Sequence, residues 1–143
     1  METKREMLLA ALSAAKGVPF SPLQVQKYIF LLDKNAGDEI GHLFHFIPYH
    51  YGPFDVTIYN VLDELAKDGL IEISSGPEGR WRQYRVTPKG QLAGDKLLVG
   101  LPAKVAPYLS KLSEYVRSLS FAELVSTIYK LYPEMMANSV FKN

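Results

Sequence analysis

The sequence predicts an α+β fold, mostly helical, with one β-hairpin set between helices. Three observations carry this. Apolar residues recur at helical spacing in several segments. From Ile71 to Val86 the pattern switches to alternation, and Gly76-Pro77-Glu78-Gly79 reverses the chain. On either side stand helix signals: Asp55 as the N-cap of one helix, Thr87-Pro88 as the start of the next. Helix, strand, tight turn, strand, helix is the ending of a winged-helix domain, with the hairpin as its wing.

In chain order, the first helix covers about Thr3 to Ala15, with Leu8, Ala11, Leu12 and Ala15 as its stripe, and stops at Gly17. Lys4-Arg5 before an apolar stretch looks superficially like a signal peptide. Glu2 and Glu6 spoil the positive flank, so the stretch reads as a domain helix. Ser21-Pro22 opens a second helix running to about Lys34. Its segment Tyr28 to Leu32 is apolar on every side, which places it at the centre of the core. Asn35 to Asp38 reads as a loop, and Leu43 to Ile47 as an edge strand ended by Pro48. Gly52-Pro53 reads as a turn. The stretch separating the second and third helices is roughly twenty residues, longer than the usual connection of about 2–8.

The third helix, Asp55 to Asp68, carries Ile58, Val61, Leu62 and Leu65 on one face and stops at Gly69, a left-handed cap position. Ile71 and Ile73 should face Tyr84 and Val86 across the wing. Alternation then puts Trp81, Gln83 and Arg85 on the outer face; a one-residue bulge would turn Trp81 inward instead. A fourth helix spans Pro88 to about Val99. A fifth follows Pro107, with Leu109, Leu112, Val116 and Leu119 as an apolar seam. Ser120-Phe121-Ala122-Glu123 has capping-box spacing and starts the last helix, with Leu124, Ile128 and Leu131 as its stripe and Pro133 as its end. The chain reads as one domain, residues 1–143, with a core over about 1–100 and a helical appendage over about 101–143. The seams of the last two helices suit either packing against the first helix or a homodimer, and the dimer is the reading taken.

Composition limits function. Lys and Arg number 16 against 15 Asp and Glu, a net charge of +1, which is a poor match for a dedicated nucleic-acid binder. The chain has no cysteine, so disulfides, thiolate chemistry and cysteine-ligated zinc are excluded; this fits a cytoplasmic location. No apolar run approaches the ~20 residues of a membrane span.

The helix LQVQKYIFLL (Leu23 to Leu32), Tyr51-Gly52-Pro53, the following helix with its ending DGLI, and the closing Tyr132-Pro133-Glu134 with Ser139 together give the chain a family likeness. It resembles the bacterial Panacea domain found in antitoxins, and the related YwgA-like proteins. The segment YRVTPKG (Tyr84 to Gly90) is similar to the second wing strand of many winged-helix regulators. The Panacea resemblance implies a non-enzymatic protein that acts by binding, often by neutralising a partner protein such as a toxin. It brings no catalytic residues and no cofactor.

Candidate sites were weighed residue by residue. His42, His45 and His50 crowd one segment, but strand alternation separates His42 from His45 and too few further ligands lie near; no metal site is expected. Tyr49, Tyr51 and Phe54 flank the Gly-Pro pair and read as a plug between the second helix and the wing, or as an aromatic binding surface. Trp81 beside Arg85 on an outer face is the composition of a binding hot spot. The protein-binding candidates are therefore Trp81, Arg85, Tyr49 and Tyr51. The helix in the recognition position presents Asp55, Asp63, Glu64 and Asp68 against Lys67, a charge pattern that opposes DNA phosphates. The wing carries Arg80, Arg82, Arg85 and Lys89, the residues of an alternative DNA-binding reading. No phosphate loop, nucleophile elbow, HExxH or dinucleotide-binding turn occurs. The expectation is a protein-binding module, antitoxin-like or regulatory; the alternative is a winged-helix transcription regulator.

Overall fold

The computed structural model describes residues 3–142 apart from Pro77, Glu78 and Arg80. It is an α+β fold of six helices with two small antiparallel hairpin sheets. The elements are α1 (Lys4–Ser13), α2 (Pro22–Ile40), β1 (Ile47–Tyr49), β2 (Gly52–Phe54), α3 (Val56–Lys67), β3 (Ile71–Ser75), β4 (Arg82–Val86), α4 (Pro88–Gly100), α5 (Val105–Ser118) and α6 (Phe121–Leu131). A short 3₁₀ turn, Pro133–Met136, follows α6. No helix among the described residues is long and apolar enough to cross a membrane.

Local capping chemistry sets most of the helix starts. Thr3 with Glu6, Ser21 with Gln24 and Ser120 with Glu123 each form a reciprocal capping box. Thr87 caps α4, with Pro88 at its first position. Asp55 caps α3, accepting from the Thr57 backbone N–H at 2.8 Å. The wing has the register its alternation requires, Ile71 opposite Val86 and Ile73 opposite Tyr84.

The core has two centres. Tyr28 to Leu32 of α2 are all buried, as an all-round apolar helix demands. In α1 every residue from Met7 to Ser13 is buried too, so that helix has far more than a single apolar stripe. It lies against α3 and α4, while α2 packs on α5. The Tyr28 hydroxyl ties the two helices by donating to the Ala11 carbonyl at 2.7 Å. Between α1 and α2, Phe20 bridges β4 through paired backbone bonds with Tyr84, each 2.9 Å.

The stretch between α2 and α3 departs from expectation. Asn35 to Asp38 is not a loop, because α2 continues to Ile40. Tertiary contacts override the weak helix propensity there: Ala36 and Ile40 are buried, and the Asn35 side chain donates to Leu31 O and to the Tyr108 hydroxyl. The helix ends at Gly41, in a positive-φ conformation. The strand begins at Ile47 rather than Leu43 and runs through Pro48. Pro48 pairs with Pro53, one step in from the closing pair Tyr49–Gly52. In antiparallel alternation that step needs no ladder N–H, so both prolines are tolerated. The reversal is made by His50-Tyr51, and Gly52-Pro53 lies within β2.

The seam of α5 is consumed within the chain. Leu109, Leu112 and Val116 are buried in one continuous cluster with α1 and α2 residues, so the seam gives no ground for a dimer. The alternative to a dimer is packing against the first helix; instead both helices lie chiefly against α2. In α6, Leu124 and Ile128 are buried, but Leu131 is 60% exposed. Val125 and Tyr129 take the remaining inward positions. Beyond α6 the tail fastens to the β1–β2 ribbon: Val140 N donates to His50 O at 2.9 Å, and Asn138 Nδ2 to Pro48 O at 3.1 Å.

Candidate functional site

The β1–β2 ribbon stands over the N-terminal half of α2 and, with Trp81, lines a groove of about 750 Å³. One wall is an aromatic run. Tyr49 stacks on His50 and on Phe54, with ring centroids 4.3 and 4.7 Å apart, and Phe54 leans on Tyr59 at 5.7 Å. Tyr51 meets Phe121 of α6 edge to face at 5.1 Å. Trp81 lines the same groove, and the α2 entry residues Ser21 to Leu23 complete it. Burial pushes the Tyr59 phenol up to about 12, so it stays protonated and neutral across the physiological range.

The floor comes from Gln26 and Lys27 of α2. Gln26 holds the end of the ribbon like a backbone partner. Its Nε2 donates to Asp55 O and its Oε1 accepts from Asp55 N, both at 2.9 Å. Lys27 is only 3% exposed. Its Nζ donates to Pro53 O at 3.2 Å, and among the described residues it has no carboxylate partner. Desolvation lowers its pKa to about 7, because burial penalises the ammonium form and no anion repays it. Among the described residues, none that lines the groove is acidic.

Of the four protein-binding candidates, the structure brings three to one place. Tyr49, Tyr51 and Trp81 all line the groove, and all are substantially exposed. Tyr49 and Tyr51 therefore wall an open groove rather than plugging a gap; Phe54 is half-buried between Tyr49 and Tyr59. Trp81 is 63% exposed, which removes the bulge alternative. β4 starts at Arg82, so Trp81 sits at the end of the ladder, where it lines the groove. Arg85 lies elsewhere, donating to Glu72 through Nη2 at 2.7 Å and Nε at 3.0 Å.

The described cations of the β3–β4 hairpin and the start of α4 are engaged within the chain. Arg85 pairs with Glu72, Arg82 approaches Asp63 at 3.7 Å, and Lys89 donates to the Asp68 carbonyl that ends α3. Arg80 lies outside the described residues. On α3, Asp55 is not exposed as expected but 4% exposed, its carboxylate held by Thr57 and by the His45 backbone N–H. Burial works to raise its pKa, but those hydrogen bonds outweigh it and hold the group below its ordinary value. The exposed acids of α3 are therefore Asp63, Glu64 and Asp68.

The histidines do not converge, and no metal-ligand cluster occurs among the described residues. His42 sits between Asp38 and Asp33, which raise its pKa by hydrogen bonding. His45 serves through its backbone, and His50 is part of the ribbon turn.

The sequence reading missed Gln26 and Lys27. A signal was present: two polar side chains stand immediately before an all-round apolar run, on a helix with no solvent face to spare. No family model matches the sequence, and no curated protein matches it.

Proposed function

We propose that the chain is a non-enzymatic binding protein that holds a segment of a partner protein in the groove beneath the β1–β2 ribbon. The observation that carries this reading is the convergence of Tyr49, Tyr51, Trp81 and Phe121 as exposed rings around one concave surface. Four large apolar side chains left accessible together form an interaction patch, and Tyr and Trp dominate binding hot spots.

The rest of the reading is a winged-helix-like domain, Panacea-like, acting as an antitoxin or regulator. In its support, the helix order, the hairpin after α3 and the Phe20–Tyr84 bridge from the α1–α2 connection to β4 correspond to the parts of a winged helix. On that frame the β1–β2 ribbon is an insertion between the second and third helices, and it builds the groove. The rival reading, DNA binding by the wing, is weakened by the acids of α3 and by the internal engagement of Arg82, Arg85 and Lys89.

The test is affinity capture from the native host, with and without nuclease, using the wild type and the Tyr51→Ala and Trp81→Ala variants as baits. The proposal expects one protein retained after nuclease and lost from both variants. Capture of nucleic acid alone, or of a protein indifferent to both substitutions, would overturn it.

A further inference from the structure

Resting on that reading, we infer that the groove recognises an acidic side chain of the partner, an aspartate or glutamate flanked by apolar residues, and that Lys27 is the group that receives it.

The seam between α2 and the ribbon is already secured by the two Gln26 bonds to the main chain of Asp55. Lys27 adds one bond, to Pro53 O. An ammonium has three donors, so two are left over once Pro53 is served. A buried polar group of this kind is normally paired, and a buried cation most of all. Gly52 of the ribbon and Tyr129 of α6 lie close to the amine, and Phe54 and Tyr59 line the same groove. Among the described residues, the other ionisable side chains lining the groove are His50 and the tyrosines, and Lys27 has no carboxylate partner. The site thus buries an amine that has no counter-charge among the described residues.

A carboxylate bound there would supply the missing acceptor in a desolvated setting, where charge-assisted hydrogen bonds are strong. Gly52 packs close to the amine: a Cβ at that position would stand 3.3 Å from Tyr129 Cε1, 3.6 Å from Lys27 Cε and 3.8 Å from Nζ, so a larger residue would crowd it. A buried amine at the floor of the groove suits one slender side chain better than a main chain with its own terminus. The remaining volume is walled by aromatic rings, which favours aromatic or aliphatic neighbours on either side of the acid.

The test uses a library of linear heptapeptides displayed internally, with no free carboxyl terminus, selected on the wild type and on Trp81→Ala. The wild-type selection is expected to enrich sequences with one Asp or Glu between apolar residues, and Trp81→Ala to lose them. The enriched peptides are then synthesised with both ends blocked and titrated, with the fluorescence of Trp81, the single tryptophan, as the readout. Replacing the acid by its amide should weaken binding to the wild type about tenfold or more. On Lys27→Met the acid and amide peptides should bind alike. The acid peptide should also bind the wild type progressively less well above about pH 7, because its partner amine must then take up a proton. Acid and amide peptides of equal affinity on the wild type, with Trp81→Ala still deficient, would overturn the role of Lys27 and leave the groove reading intact. A preference for free over blocked C-termini would overturn the side-chain assignment. No enrichment, or enrichment indifferent to Trp81, would overturn the groove reading as well.

Discussion

Lys27→Met exposes the energetic tension in the floor of the groove. The amine is held at about 7 against an ordinary value of 10.5. At ~1.36 kcal/mol per pH unit, that gap corresponds to roughly 5 kcal/mol of linkage between protonation and folding. The direction follows from proton counts. From about pH 7 to about 10.5 the unfolded chain holds a proton on this amine that the folded protein lacks, so stability rises with pH. It falls again as pH drops toward about 7, and below that the slope disappears because both states are protonated. Methionine keeps the length of the side chain and has nothing to titrate. The variant also leaves the Pro53 carbonyl without its donor, a constant cost of about 1–3 kcal/mol that does not vary with pH. The informative quantity is therefore the difference between the two stability curves. Urea denaturation from about pH 7.5 to about 9.5 should show wild-type stability gaining on the variant by up to ~1.4 kcal/mol per unit. Tyr59, whose phenol is raised to about 12, bends both curves only at higher pH and cancels in the difference. Parallel curves would refute the reasoning: Lys27 would then be as well solvated folded as unfolded, and the groove would hold no stored demand for a counter-charge.

The remaining predictions concern surface and packing. Trp81→Ala should change stability by no more than about 1 kcal/mol, since the ring is mostly exposed, and this is checked by thermal melting. Gly90→Ala should destabilise by about 1–3 kcal/mol or more, because a Cβ there would collide with the Leu70 carbonyl and Val86; an unshifted denaturation midpoint would show that α4 can slide on the wing. Duplex DNA should bind no more tightly than about 10⁻⁴–10⁻⁶ M at physiological salt, since the described wing cations are already engaged; nanomolar binding to a defined duplex in a gel-shift titration would restore the DNA reading. Light scattering at micromolar concentration should give the mass of one chain, because Leu109, Leu112 and Val116 are already buried internally; a dimer mass would show that another face associates.

What could be read from the sequence was local. Ser21, Asp55, Thr87 and Ser120 cap the helices they precede, and Ile71, Ile73, Tyr84 and Val86 set the hairpin register. In each case the partners lie a few residues away or across one tight turn. What escaped was set by distant packing. Asn35 to Asp38 continue α2 because Tyr108, 73 residues on, receives the Asn35 side chain. Asp55 is buried because Gln26 of α2 grips its backbone. Lys27 is buried because Pro53 and Gly52 fold back over it. Tyr49, Tyr51 and Trp81 were singled out by residue type alone. Their meeting around one groove depends on a ribbon whose strands are only three residues each, too short for alternation to reveal.

The central claim is that binding resides in the ribbon groove and not on the wing. Calorimetric titration of the captured partner tests it most directly, comparing Tyr51→Ala and Trp81→Ala with Arg82→Ala and Arg85→Ala. The account expects each groove substitution to cost 2 kcal/mol or more, about thirtyfold in affinity, and each wing substitution to fall within about 0.5 kcal/mol of the wild type. Full affinity in the groove variants with losses in the two arginine variants would contradict it.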